Sequence, residues 1–224
     1  MALLRAADGE LWVGTMGGGV TRVAPDGSSR SFRANAARPD DPTALGADGV
    51  MALMQARDHN IWVGTFGGGV AIINHRTNDV WRLPLDALGA HGLASPRATS
   101  IAQGPDGVVW VGTDGGGLSA YGPDGSFLAS WRHDPNKIES LASDTVYTIL
   151  VDDRGRIWLG TDGGGIDRVT GSATNPASVQ FENVSTANGL PSNVVYGLRS
   201  DQAGALWAST NRGLVHYEPG TKSV

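Results

Sequence analysis

Ile157-Trp158-Leu159-Gly160-Thr161-Asp162-Gly163-Gly164-Gly165-Ile166-Asp167-Arg168-Val169 is one of five versions of a single phrase in this chain. The others run from Leu11 to Val23, Ile61 to Ile73, Val109 to Tyr121 and Leu206 to Tyr217. Each is anchored by a tryptophan: Trp12, Trp62, Trp110, Trp158 and Trp207, spaced 50, 48, 48 and 49 residues apart. A fixed period of this length marks a repeat architecture.

A second signature precedes the first. Leu45, Leu93, Leu141 and Leu190 each lie 17 residues before the next tryptophan, and Leu53, Ile101, Ile149 and Leu198 lie nine before. Leu3 holds the same place before Trp12. Constant offsets leave no room for insertions there, so length variation is confined to the part after the glycines. Within one unit, Val50 to Gln55, Ala98 to Gln103 and Val146 to Val151 read as apolar strands. Turns ending in glycine follow, such as Asp8-Gly9, Asp106-Gly107 and Arg154-Gly155, and these suit hairpins that need positive φ. The tryptophan segment is a second strand, and the triple glycine turns into a third, such as Val20 to Val23. After Pro25-Asp26-Gly27 or Pro123-Asp124-Gly125 comes a fourth. It carries an aromatic and then Arg in Phe32-Arg33, Trp81-Arg82 and Trp131-Arg132, with Phe181-Glu182 in the fourth copy.

Four short antiparallel strands per unit predict an all-β fold, a β-propeller of four-stranded blades with about five blades in this chain. The units cover about 1–35, 45–86, 93–134, 141–186 and 190–224 of a single propeller domain. A β-sandwich also has many short strands, but it does not repeat its sequence at a long fixed period. One blade cannot bury both faces alone, so the five tryptophans are expected between blades as structural core. Met1 lies 11 residues before Trp12 and Val224 lies 17 after Trp207, so the chain begins and ends inside a unit. That is expected of a piece of a longer array, for example a seven-bladed one, or of a truncated product.

Composition narrows the function classes. Of 224 residues, 33 are glycine, about twice the usual ~7%, and no collagen-like period accompanies them. Hydrophobic residues make up 40% and charged residues 17%, which argues against disorder. The net charge is −5, and lysine occurs only at Lys137 and Lys222. Nucleic acid and anionic membrane surfaces call for clustered basic residues, so neither is an expected partner. No apolar run approaches the ~18 residues of a spanning helix, and Arg5, Asp8 and Glu10 interrupt the N-terminal stretch where a signal peptide would be apolar. With no cysteine, disulfides and Cys-zinc sites are excluded.

The glycine turns are not phosphate loops: no Gly-Lys-Ser/Thr and no helix follow them. His59, His75, His91, His133 and His216 show no metal-ligand spacing, so no metal or cofactor is expected. Asp153-Arg154-Gly155-Arg156-Ile157-Trp158 matches the core of a sialidase Asp-box, but Val151 stands where Ser or Thr belongs. No nucleophile elbow is present. The chain therefore reads as non-enzymatic.

The units resemble the two-component regulator propeller repeat. The resemblance rests on Leu141 to Ile149, Gly155 to Thr161 and Asp162 to Arg168, and it extends over nearly the whole chain. The last copy departs from it, with Ala208-Ser209 and Asn211-Arg212-Gly213 replacing the usual residues. The resemblance implies a periplasmic sensor of a bacterial signal-transduction protein, followed by a linking β-domain, a transmembrane helix and a histidine kinase or diguanylate cyclase. Its expected partner is a small molecule or oligosaccharide, with further blades and a downstream signalling module in the full-length protein. A protein-interaction scaffold and a lyase resembling streptogramin lyases are the alternatives.

In an up-and-down meander, the turn between strands two and three shares a face with the link from strand four to the next blade. That face collects Met16, Phe66, Asp114, Asp162 and Asn211, which hold one equivalent position yet differ in type. It also collects the polar links Ala34 to Asp48, Asp86 to Arg97 and Asp134 to Asp144. Variable positions on a constant frame are where loops specify ligands. Phe66 offers a stacking face, and Asp114 and Asp162 offer acceptors for a sugar, another polyol or calcium. The competing explanation is that Asp favours this turn and nothing constrains the rim.

Overall fold

The computed structural model describes residues 2–224, and its order of elements follows the repeat. Blade 1 is β1 (Ala2–Arg5), β2 (Leu11–Gly14), β3 (Val20–Val23) and β4 (Ser29–Phe32). Blade 2 is β5 (Val50–Gln55), β6 (Ile61–Thr65), β7 (Gly69–Ile73) and β8 (Val80–Arg82). Blade 3 is β9 (Ala98–Gln103), β10 (Val109–Thr113), β11 (Leu118–Tyr121) and β12 (Phe127–Trp131). Blade 4 is β13 (Val146–Val151), β14 (Ile157–Thr161), β15 (Ile166–Ser172) and β16 (Asn175–Val184). Blade 5 has three strands, β17 (Val195–Ser200), β18 (Leu206–Thr210) and β19 (Gly213–Tyr217). Each blade is an antiparallel meander in chain order. The one helical element among the described residues is a single 3₁₀ turn, Thr186–Asn188.

The first strands of successive blades lie against one another, β1 on β5, β5 on β9, β9 on β13 and β13 on β17. The blades thus fan outward from their first strands. Alternation along strand two explains how they stack. In β10, Trp110 points to blade 4, where it packs with Ile157, Leu159 and Phe181, whereas Val109 and Val111 point back to Trp62 of blade 2. The same arrangement joins blade 1 to blade 2 through Trp12 and blade 4 to blade 5 through Trp158.

Two glycine positions follow from this stacking. Gly112 lies on Val146, the first residue of the next blade, and a Cβ there would meet Val146 Cγ1 at 2.8 Å. Gly160 stands equally close to Val195. The last glycine of the turn, Gly117, has φ +76° and lies under the carbonyl oxygen of Trp131, so a side chain would strike strand four. A threonine fastens each turn: Thr15, Thr65, Thr113, Thr161 and Thr210 donate their hydroxyls to the carbonyls of Gly19, Gly69, Gly117, Gly165 and Gly213 at 2.9–3.3 Å.

Two expectations need correction. The aromatic–Arg pairs of strand four are not equivalent. Phe32 and Trp131 lie opposite the first apolar residue of strand three, but in blade 2 that place belongs to Leu83 and in blade 4 to Val184. Strand four follows the segment of variable length, so its register cannot be counted from the tryptophan. Nor are the tryptophans alike. Trp12, Trp62, Trp110 and Trp158 are 0–2% exposed, and Trp207 is 41% exposed, with neither a strand four nor a following blade over it among the described residues. Leu11, at the other end of the arc, is exposed where its counterparts Ile61, Val109 and Leu206 are buried.

Trp110→Ala should therefore cost roughly 3–5 kcal/mol, as for other buried aromatics, and Trp207→Ala less than about 1 kcal/mol. Urea unfolding of the two variants checks this. Equal losses would contradict the packing described.

Candidate functional site

The turns between strands two and three and the inter-blade links share one face, held together by backbone bonds. The Phe66 amide donates to the Gly49 carbonyl at 2.7 Å, that of Asp114 to Arg97 at 2.9 Å, and that of Asp162 to Thr145 at 3.0 Å. In the other direction, Gly67 donates to Pro96 and Gly163 to Asn193. The turns of blades 2, 3 and 4 are thus pinned between the links before and after their blades.

On this frame the side chains form a strip across blades 2 to 5. The Arg97 guanidinium lies 5.7 Å over the Phe66 ring and pairs with Asp114 at 3.1 Å. The Thr145 hydroxyl reaches Asp114 at 3.3 Å. Tyr147 donates its phenol to Asp162 at 3.0 Å, and its ring lies 5.4 Å from that of Tyr196. Burial and then the Asp162 carboxylate push the Tyr147 phenol up to about 12, so it remains a donor. Phe66 and Tyr196 are exposed, and Asp114 is half-buried.

Three of the five predicted rim residues, Phe66, Asp114 and Asp162, enter the strip. Met16 and Asn211, in blades 1 and 5, stand exposed outside these contacts. Arg97, Thr145, Tyr147 and Tyr196 complete it, and sequence reasoning did not single them out. The signal was present: Arg97 and Thr145 lie 13 residues before their tryptophans, Tyr147 and Tyr196 lie 11 before, and both offsets vary in type between copies.

A cleft of about 360 Å³ opens on the same face, lined by His133, Lys137, Ile138, Asn183, Ser185 and Asn193. Beneath it lies Asp167, fully buried, accepting from the Ala142 amide at 2.8 Å and the Asn183 side-chain amide at 2.9 Å. Thr21, Ala71 and Ser119 hold this place in the first three blades. Burial raises the Asp167 carboxyl to about 6, against the two hydrogen bonds, which favour its charged form. A second carboxylate in blade 4 is Asp152, with Asp201 at the same offset in blade 5. Asp152 accepts the Trp158 indole at 2.9 Å and pairs with Arg156 at 2.6 Å, whereas the buried indoles of Trp12, Trp62 and Trp110 face Ala6, Ala56 and Gly104 without a partner. This is Asp152, not the Asp153 that the Asp-box comparison aligned. Elsewhere the structure brings His59 and His75 within 5.2 Å, but no group of three ligand-type side chains forms among the described residues.

Antiparallel blades stacked through their first strands, with turns and links gathered on one rim, define a β-propeller. The two component regulator propeller repeat is matched at residues 44–67, 92–115, 140–163 and 189–212. Each copy runs from the link before strand one through strand two into the glycine turn, the portion that builds the rim. Among solved structures, the extracellular domain of a putative hybrid two component system from B. thetaiotaomicron is similar at 18% identity with a TM-score of 0.76, covering 99% of this chain and 30% of that one. PorZ, a surface component of the type-IX secretion system of Porphyromonas gingivalis, is similar at 20% identity and TM-score 0.73, covering 99% and 32%. Streptogramin B lyase follows at 17% identity and TM-score 0.63, covering 97% and 67%. At these identities the likeness is one of fold, and the chain spans about a third of the first two proteins. No curated protein matches the sequence.

The raised carboxyl of Asp167 has a thermodynamic consequence. The folded state holds this proton more tightly than the unfolded chain, so stability falls as pH rises from about 4 to about 6 and is level above, by up to roughly 3 kcal/mol for this group. Asp167→Asn should remove that component. Urea unfolding of both proteins across this range should give profiles that diverge; parallel profiles would show that Asp167 titrates normally.

Proposed function

We propose that the chain is a non-catalytic ligand-sensing module of a bacterial signalling protein, working outside the cytoplasm. The observation that carries this reading is the strip of Phe66, Arg97, Asp114, Thr145, Tyr147 and Asp162, drawn from three blades onto one face. Its frame is repeated and its side chains are not, the pattern by which rigid scaffolds present specific surfaces. Exposed aromatic faces beside paired carboxylates and a guanidinium suit a polar small molecule or an oligosaccharide, which stacks on a ring and exchanges hydrogen bonds along its edge. The two-component regulator propeller repeat and the likeness to an extracellular domain of a hybrid two component system support the sensing role and the location. The likeness to streptogramin B lyase is one of fold, and no side-chain arrangement on the rim singles out a catalytic base.

Titration of the intact protein with a panel of oligosaccharides and small polar metabolites tests this, beside a variant carrying Phe66→Ala, Asp114→Ala and Asp162→Ala. A ligand of the parent protein should lose about tenfold or more in affinity with the variant, equivalent to about 1.4 kcal/mol, while the variant keeps its fold. Undiminished affinity in the folded variant would place the site elsewhere. Turnover of the bound ligand would make the protein an enzyme.

A further inference from the structure

The turns that join strands one to two and three to four lie on the face opposite the rim, as the meander order requires. In blade 2 these turns carry two histidines, His59 between β5 and β6 and His75 between β7 and β8. Their rings lie 5.2 Å apart, inclined at 50°. Spacing along the chain does not show this pair, because it arises where two turns meet.

Neither histidine belongs to the repeat. Three residues before the other tryptophans stand Gly9, Gly107, Gly155 and Gly204, with φ between +74° and +88°. His59 holds that place in blade 2, with φ +69°. Glycine adopts this left-handed backbone freely, whereas a side chain is disfavoured there. Thirteen residues after the tryptophan, blades 1 and 3 have Pro25 and Pro123 where blade 2 has His75. The two positions are neighbours in blade 1 as well: a Cβ on Gly9 would meet Pro25 Cγ at 3.8 Å. The frame brings the positions together, and blade 2 alone fills both with imidazole.

Both turns are fixed by their own hydrogen bonds. The Ala56 amide donates to the Asn60 carbonyl and the His59 amide to the Ala56 carbonyl, each at 2.9 Å. The Asn74 side chain accepts from the amides of Arg76 and Thr77 at 2.9 and 3.0 Å, and Arg22 of blade 1 donates to the Asn78 side chain at 2.9 Å. The backbone is thus set around both histidines, which lowers the ordering cost of using them together. His75 lines a cleft of about 290 Å³ with Asp58, Asn60, Asn74 and Arg76. One carboxylate and one guanidinium offset each other there, so the cleft does not draw cations by charge alone.

We propose that His59 and His75 form a two-imidazole site for a late first-row divalent metal ion such as zinc, with the ion's other positions taken by water or by a ligand in the cleft. Imidazole nitrogen binds zinc at about 2.0–2.1 Å, which puts each ring centre about 3.2 Å from the ion and, at a tetrahedral angle, the two centres about 5.2 Å apart. The two rings stand at that separation. Imidazole suits zinc, copper and nickel, whereas calcium and magnesium take oxygen ligands.

The test is a calorimetric titration of the intact protein with zinc chloride, with the imidazole signals of its five histidines followed by NMR. The expected result is saturable binding of one ion per chain, with His59 and His75 shifting in step and excess calcium without effect. His59→Gly restores the residue of the other four blades, so it keeps the fold. That variant and His75→Ala should each weaken zinc binding about tenfold or more, while His91→Ala leaves it unchanged. Absence of saturable binding, shifts at other histidines in place of these two, undiminished affinity in either variant, or displacement of zinc by calcium would overturn the proposal.

Discussion

The closeness of neighbouring blades depends on one contact, the glycine of strand two against the first residue of the next blade's strand one. Gly14 meets Val50, Gly64 meets Ala98, Gly112 meets Val146 and Gly160 meets Val195. The tryptophan two residues earlier can reach across and be buried because the backbones approach so nearly at this point. Interiors are packed to the density of organic crystals, so one added carbon here must displace a neighbour. The last copy shows the converse. Ser209 replaces the glycine in blade 5, on which no further blade is stacked among the described residues, and Trp207 beside it is half-exposed.

The rim inherits its order from that contact. The residue that lodges against the glycine is also the start of strand one, so the segments just before and after it, Arg97 to Thr99 or Thr145 to Tyr147, are delivered beside the preceding blade's glycine turn. Asp114 of blade 3 can therefore meet Arg97 of its own blade and Thr145 of the next. The strip is a consequence of stacking, and its chemistry is set by side chains that stacking does not constrain. Blade 4 carries two buried or nearly buried carboxylates, Asp152 and Asp167, where the first three blades have small or neutral residues. Each is satisfied by hydrogen bonds, as buried charge requires.

Much of this architecture was legible in the residues. The strands read at Val50 to Gln55, Ala98 to Gln103 and Val146 to Val151 have those limits in the structure, because fixed offsets from the tryptophans leave them no freedom. Strand four was legible in kind but not in register, since insertions accumulate before it and β16 alone runs over ten residues. The common face of Met16, Phe66, Asp114, Asp162 and Asn211 followed from the parity of a meander. Which of them meet did not, because that depends on Arg97, Tyr147 and Tyr196, which lie at strand boundaries where offset alone says nothing of side-chain reach. Asp152 shows the same limit: the Trp158 indole selects it over Asp153 through geometry.

A double-mutant cycle on Gly112→Ala and Val146→Ala tests the stacking contact most directly. Gly112→Ala alone forces a methyl group onto Val146 Cγ1, and Val146→Ala removes the atom it strikes. Unfolding free energies should show the double variant more stable than the sum of the two single losses, by about 1 kcal/mol or more. Strictly additive losses would mean that these residues do not meet across the blades, and the stacking from which the rim follows would be wrong.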